Sequence, residues 1–462
     1  MPSAGDHCSA VFAITTAVVG LGFVFLTPPF QVADEPAHFL RAYEIPEGKW
    51  KSDFSNGVGG ANLPSSLMES FHPFQRLVFH PEQKTSRAEI LAVLKMPLLP
   101  DSRRYESFPN TSLYSPLSYL APAIALAAGR FIGLPALGEL YVARIANLIV
   151  FVALGTLALR WMPLAKVPTM LLLLMPMTMY LAASVSADTT ATALVALTVA
   201  QILRLTRREH EMQLHDWVLL VSTTAALGLC KFAYLPLVSL ALMIPARVPG
   251  NRRRYLLLQG LVWVSGGTCL VAWASQTPGL HARILDRPDV SALLQFENAL
   301  RLPASFARAL VNTGVRDASL LKNSFVGWLG WLDTRLAPAA INCYLILIAV
   351  TCWPNRGDLA NRSPRWWEII VMSGASLLAV AAVGLFNYLF WTPLGKDHIE
   401  GLQGRYFIPI GVLIVVLLSQ SLSSLRRFEL PGTGQLWVAT AAVGAVLANL
   451  YSYEVVFRRY YH

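Results

Sequence analysis

The chain has 462 residues, with 37 Lys or Arg against 27 Asp or Glu, so 14% are charged and 55% are hydrophobic. A soluble protein carries about 25% charged residues, and here the apolar residues gather in long blocks, which excludes a disordered chain and an ordinary cytosolic enzyme. The net charge of +10 sits as short arginine groups between those blocks, as in a membrane protein with a positive inner side, and gives no nucleic-acid signature.

The first apolar block, Val11 to Leu26, has no basic region before it and no small-x-small cleavage site, so it reads as a retained span. Pro29 to Leu113 follows, polar and about 85 residues long, too long for a mere connection. It is expected to form a large first extracytoplasmic loop. Further apolar blocks fall at 114–133, 140–160, 167–186, 188–203, 216–230, 232–245, 255–273, 338–353, 367–390, 405–420 and 434–453. The expected fold is an all-α polytopic helix bundle, one membrane domain of about 11 to 13 spans. The pair 216–230 and 232–245 is short and broken near Lys231 and Pro236, as in helices that line a cavity. The segment 275–337 mixes charge with apolar residues and is expected to hold interfacial helices in a second extracytoplasmic loop. No sizeable soluble domain is expected at the C-terminus.

Basic connectors at Arg204/Arg207/Arg208, Arg247/Arg252/Arg253/Arg254, Arg356/Arg362/Arg365 and Arg426/Arg427 are separated by pairs of blocks. They therefore share one side, the cytoplasm. Four blocks lie between the first loop and Arg204, where an odd number is needed. One of them is re-entrant, or 167–203 divides differently. Four of the five cysteines lie in or beside apolar blocks and read as small buried hydrophobes.

The polar cluster Gln31-Val-Ala-Asp34-Glu35-Pro-Ala-His38-Phe-Leu-Arg41 follows the first span. Asp34 suits the cap of a helix starting near Pro36, with His38 and Arg41 on one face. Asp34 or Glu35 can take a proton from a hydroxyl or hold a divalent cation such as Mg or Mn. The alternative is a hydrated cap with a surface ion pair. Asp188, Arg144 and Asn147 lie in apolar blocks, where polar groups are functional candidates by default. A structural Arg144–Asp188 pair is the competing reading. Lys231 stands alone at a helix break and needs water or an anion, such as a lipid phosphate; snorkelling is its alternative. Arg405 offers a planar fork for phosphate, beside Gln403 and Tyr406. Trp328 and Trp331, three apart, are expected to share a helical face as interfacial anchors or sugar platforms. Asp333 and Arg335 are expected to pair with each other or face water. Tyr114 is a polar aromatic that opens the second block.

These residues carry a resemblance. Pro28-Pro-Phe-Gln-Val-Ala-Asp-Glu-Pro-Ala-His-Phe-Leu-Arg-Ala resembles the signature of DUF2142, a family of bacterial polytopic membrane proteins. Tyr114-Ser-Pro-Leu-Ser-Tyr, Ser184-Val-Ser-Ala-Asp, Cys230-Lys-Phe-Ala-Tyr234, the Gly-Trp pair before Asp333, and Gly401-Leu-Gln-Gly-Arg-Tyr-Phe follow in the family's order. The resemblance covers residues 20 to 425. Tyr114-Ser-Pro stands for the family's His-Pro-Pro, and Ala187 for a proline. The family in turn resembles the GT-C glycosyltransferases. The resemblance implies a GT-C-like bundle in the bacterial inner membrane, with its site facing outward. It implies a polyprenyl-phosphate-linked sugar donor and a glycan, lipid-linked or protein acceptor. It also implies Asp34 with Glu35 as base or metal ligand, and Lys231 and Arg405 as donor-phosphate contacts. A transporter or flippase for a lipid-linked polysaccharide precursor is the second reading, and a non-catalytic scaffold the third.

Overall fold

The computed structural model describes residues 4–55, 57–284, 287–353, 365–422 and 434–462. Arg356, Arg362, Arg426 and Arg427 of the basic connectors lie outside the described residues. Helices dominate. Seven described helices are long and apolar enough to cross a membrane: His7–Leu26, Ala136–Trp161, Ala187–Thr206, Arg252–Ala274, Trp366–Phe390, Gly404–Leu422 and Gly434–Tyr461. Leu214–Cys230, Phe232–Met243 and Pro338–Thr351 are shorter apolar helices. Ala187–Thr206 forms the centre, with 89% of its apolar window buried, whereas Arg252–Ala274 buries only 22% and presents its apolar surface outward.

Proline chemistry divides the early blocks. Block 167–186 is two short helices, Lys166–Leu173 and Pro176–Ala182, because Pro176 cannot continue the helix before it. Block 114–133 yields a 3-10 turn at Pro116–Tyr119 and a helix of 12 residues, Leu120–Phe131. At 1.5 Å per residue that helix spans about 18 Å, short of a hydrocarbon core. Both its flanks meet the first loop: Arg41 donates to the Tyr114 carbonyl at 3.0 Å just before the 3-10 turn, and Arg130 donates to Glu47 at 3.2 Å. It therefore does not cross, and the parity that the sequence leaves open closes. The Cys8 thiol touches Met170 at 3.7 Å and the Arg204 guanidinium lies 5.3 Å over the Trp161 ring. The chain's start and the first basic connector thus share one end of the bundle.

The segments outside the bundle gather at the other end. The first holds the helix Glu35–Glu44 and an antiparallel sheet of Asp53–Ser55, Val58–Pro64 and Arg103–Ser107, with Val58–Pro64 central. The second holds amphipathic helices Ala292–Arg301 and Pro303–Arg316, then Ala318–Val326. Trp328–Leu329 and Thr334–Arg335 pair as a short antiparallel ribbon. The expected helical face of Trp328 and Trp331 is absent: Gly330 and Leu332 take positive φ, of 63° and 68°, and turn the chain between the two strands. Of the cysteines in apolar blocks, Cys230 and Cys352 are buried as expected, Cys269 is half-buried and Cys343 is exposed on its helix; Cys8, ahead of the first block, is buried too.

Candidate functional site

The first helix stops at Thr27 because two prolines follow, and the chain turns sharply into Glu35–Glu44. Asp34 is the capping residue of that helix, in a left-handed conformation with φ of 65°, yet its side chain makes no cap bond. A carboxylate at an N-cap ordinarily accepts a backbone N–H. Here it turns away: Asp34 Oδ2 accepts from Arg405 Nη2 at 2.7 Å, and Oδ1 from Asn110 Nδ2 at 3.1 Å. The Asp34 side chain remains 29% exposed, whereas that of Arg405 is 5% exposed.

Arg405 is set by the glycine before it. A Cβ on Gly404 would run into the Leu321 carbonyl and the Phe325 backbone, so only glycine lets the Gly404–Phe407 turn sit against Ala318–Val326. The Gly404 N–H donates to Ser324 Oγ at 2.8 Å. Arg405 Nε is buried without a hydrogen-bond partner, as is Gln403 Oε1. An unpaired buried donor beside an ion pair has capacity for an acceptor.

Lys231 stands where Leu214–Cys230 ends in extended backbone, φ −160° and ψ 101°, before the 3-10 helix Phe232–Met243 with its internal Pro236. A 3-10 run of 12 residues is unusually long. Lys231 Nζ pairs with Asp188 and lies 5.0 Å from the Tyr406 ring centroid and 5.9 Å from those of Tyr114 and Tyr234. The Arg405 guanidinium lies 5.3 Å from the same Tyr406 ring centroid, and the Tyr234 hydroxyl donates to the Tyr406 carbonyl at 2.9 Å. Tyr406 therefore joins the two cations. His38 Nδ1 and the Tyr119 hydroxyl share a 2.6 Å hydrogen bond. Burial pushes the His38 imidazole down to about 4. Asp34 and Asp188 oppose that shift, and Arg405 and Lys231 add to it, so all four charges act on one ring.

This cluster closes one end of an apolar pocket of about 200 Å³. Lys231, Asn110, Tyr114 and Tyr406 form its polar end, and Leu270, Trp273, Phe386 and Phe390 its apolar walls.

The other sequence candidates hold the frame. Arg144 does not meet Asp188. It donates to Glu35 Oε1 and Oε2 at 2.8 and 2.6 Å, and to the carbonyls of Val24, Thr27 and Pro28 at 3.0 to 3.1 Å. Both side chains are fully buried. Glu35 also accepts the Val185 N–H, so Asp34 and Glu35 face different partners and form no shared carboxylate pair. The proposed Mg or Mn site between them has no such ligand set, and among the described residues no three His, Cys, Asp or Glu side chains gather to hold a metal. Arg41 donates to the Tyr114 carbonyl at 3.0 and 3.2 Å and to Glu44 at 2.6 Å, fixing Tyr114 from behind. Asn147 holds the carbonyls of Ser184 and Ser186. Asp333 pairs with Arg459 at 2.7 Å instead of Arg335, which lies 4.3 Å over the Trp328 ring. The sequence reading missed Asn110 and Tyr119. Pro109-Asn110 is a turn signal, and it was the available hint for the first.

Residues 17–414 match the model of the family described as "Predicted membrane protein (DUF2142)". The chain belongs to this family and is a polytopic membrane protein. No curated protein matches it. Among solved structures it is similar to ArnT from Cupriavidus metallidurans bound to undecaprenyl phosphate, at 14% identity and a TM-score of 0.47, covering 97% of this chain and 77% of that one. The apo form of the same protein gives 16% identity and a TM-score of 0.38, covering 97% and 76%.

Proposed function

We propose that this chain is a glycosyltransferase that moves a sugar from a polyprenyl-phosphate donor to an extracytoplasmic glycan, lipid-linked or protein acceptor. One observation carries the reading. Lys231 lines an apolar pocket beside Tyr406, the Arg405 guanidinium lies near the same Tyr406 ring, and Arg405 holds the part-exposed carboxylate of Asp34. An amphiphile with an anionic head fits that division. Its phosphate would lie against Lys231 and Arg405, and its isoprenoid chain along Trp273 and Phe386. The site lies at the end of the bundle opposite Arg204, which the positive-inside bias assigns to the outer face.

Asp34 is the base. Without donor, its carboxylate is held by Arg405. An incoming phosphate competes for that guanidinium and releases the carboxylate as it binds. An acceptor hydroxyl then gives its proton to Asp34 while its oxygen bonds to the anomeric carbon. The bond from that carbon to the phosphate oxygen breaks, and the electron pair leaves with the lipid phosphate. Lys231 and Arg405 stabilise the charge that develops there. Asp188 holds the lysine in position. A single displacement inverts the anomeric centre.

The test is undecaprenyl phosphate binding to the purified protein in lipid nanodiscs. The expected result is saturable binding that Lys231→Gln and Arg405→Gln weaken at least tenfold, and that the uncharged isoprenoid alcohol does not reproduce. Equal binding of alcohol and phosphate would overturn the reading.

A further inference from the structure

A second surface lies across a short turn from Asp34. It is an open cleft of about 590 Å³ lined by Phe71, His72, Gln75, Arg76, His80 and Trp331. The Trp331 indole donates to the Phe30 carbonyl at 3.2 Å, and the Ala33 N–H donates to the Gly330 carbonyl at 3.2 Å. The turn that ends in Asp34 is therefore laid directly along the Gly330–Trp331 ribbon. Phe30 and Asp34 are separated by at most about 14 Å of chain.

Backbone strain concentrates here. Five non-glycine residues take positive φ among the described residues. Four of them are Phe30 at 62°, Asp34 at 65°, Phe79 at 59° and Leu332 at 68°. Phe30 and Asp34 end the turn, Leu332 follows Trp331, and Phe79 meets Trp331 edge to face at 6.0 Å. Left-handed backbone at bulky residues is uncommon and persists where the surroundings impose it, most often at functional sites. At Phe79 the strain holds a large ring 64% exposed. Burial does not explain an exposed, strained phenylalanine against a half-buried tryptophan. A ligand surface does.

We infer that this cleft binds the acceptor, and that the acceptor is a glycan chain. The inference rests on the transferase reading for the word acceptor, but the binding surface stands on its own geometry. A sugar ring presents an apolar C–H face and a rim of hydroxyls. The C–H face matches the Trp331 ring in the cleft and the exposed Phe79 ring that stands against it at its edge. His72 and Gln75, both exposed, and His80, whose Nδ1 shares a 2.9 Å hydrogen bond with Glu82 and leaves its other ring nitrogen to the cleft, supply hydrogen bonds for the rim. Arg76 is held by Glu89 at 2.8 and 2.9 Å, so it braces the cleft instead of adding a free charge. A glycan lying over Trp331 is one short turn of backbone away from Asp34.

The test is the unaltered protein in nanodiscs on an array of neutral and acidic oligosaccharides, with peptides as controls. The expected result is binding to a set of oligosaccharides that falls at least tenfold in Trp331→Leu and in Phe79→Asn. Asparagine accepts left-handed backbone, so Phe79→Asn removes the ring and relieves strain, and it should melt no lower than the parent. This keeps the test valid if Trp331→Leu unfolds. A blank array, binding to peptides alone, or glycan binding unchanged in Phe79→Asn overturns the inference. Undecaprenyl phosphate binding reads the transferase proposal separately. Lipid binding with a blank array sinks only the cleft. Glycan binding without lipid binding leaves a glycan surface and sinks the transferase.

Discussion

Asp34 and Glu35 are neighbours in the chain and opposite in circumstance. Glu35 is sealed: it takes two bonds from Arg144 and one from the Val185 N–H, with no exposed side-chain surface on either member of the ion pair. Arg144 in turn satisfies the Val24 carbonyl in the last turn of the first helix, a group that a helix end leaves open, and the Thr27 and Pro28 carbonyls just past it. Asp34 is 29% exposed, held at one oxygen by Arg405 and at the other by Asn110. Arg144 is saturated, while Arg405 keeps a buried Nε without a partner. Of two ion pairs one residue apart, one is a structural joint and the other keeps an exposed carboxylate and an unpartnered donor. Charge inside a membrane protein is therefore judged by what remains unbonded.

The comparison breaks most directly at Asp34. Removing a general base lowers turnover by about 10²- to 10⁴-fold, so Asp34→Asn should lose sugar transfer to that extent with an unchanged melting temperature in detergent. Normal transfer by Asp34→Asn would remove it from the mechanism. The sealed pair should behave in the reverse way. Arg144→Met strands a buried carboxylate and uncaps the first helix, which costs about 3–5 kcal/mol. Low yield and a large fall in melting temperature are expected. The double variant Glu35→Met with Arg144→Met should recover part of that loss, since no buried charge is left alone. Equal instability of single and double variants would assign the damage to the lost helix cap.

The bundle was legible in the sequence because apolar runs and prolines act locally. The short pair around Lys231 and the amphipathic helices after 275 lie where the pattern puts them. The partners of the charges were not legible. In the sequence Arg144 and Asp188 match each other because each stands alone in an apolar block. Their true partners, Glu35 and Lys231, come from a loop and a helix break 109 and 43 positions away. Periodicity carries no information across such separations. Nor does it mark strain: the left-handed Phe30 and Phe79 look like ordinary core residues until the turn around Trp331 is seen.

Two smaller effects sharpen the contrast inside the open site. Lys231→Gln removes one charge-assisted contact to the donor, worth about 1.5–3 kcal/mol. That amounts to roughly 10- to 150-fold in KM for the lipid donor, and Lys231→Arg should restore part of it. A loss in kcat with KM unchanged would instead place the lysine in positioning Asp188.

His38 supplies the smallest effect and a sign that can be checked. Its imidazole is held down to about 4 by burial, against 6.5 when unfolded. Between those values the unfolded chain binds a proton that the folded chain does not. Stability therefore falls as pH drops from about 6.5 toward 4, and His38 contributes nothing to the slope above that window. At pH 5 the penalty is about 2 kcal/mol. His38→Gln keeps a polar partner for Tyr119 and has nothing to titrate, so its melting temperature should fall less than the parent's between pH 7 and pH 5. Parallel curves would mean that His38 takes up a proton as readily in the folded protein as in the unfolded chain. The pocket would then be wetter than the packing around Tyr114 and Tyr119 implies, and the phosphate contacts would be correspondingly weaker.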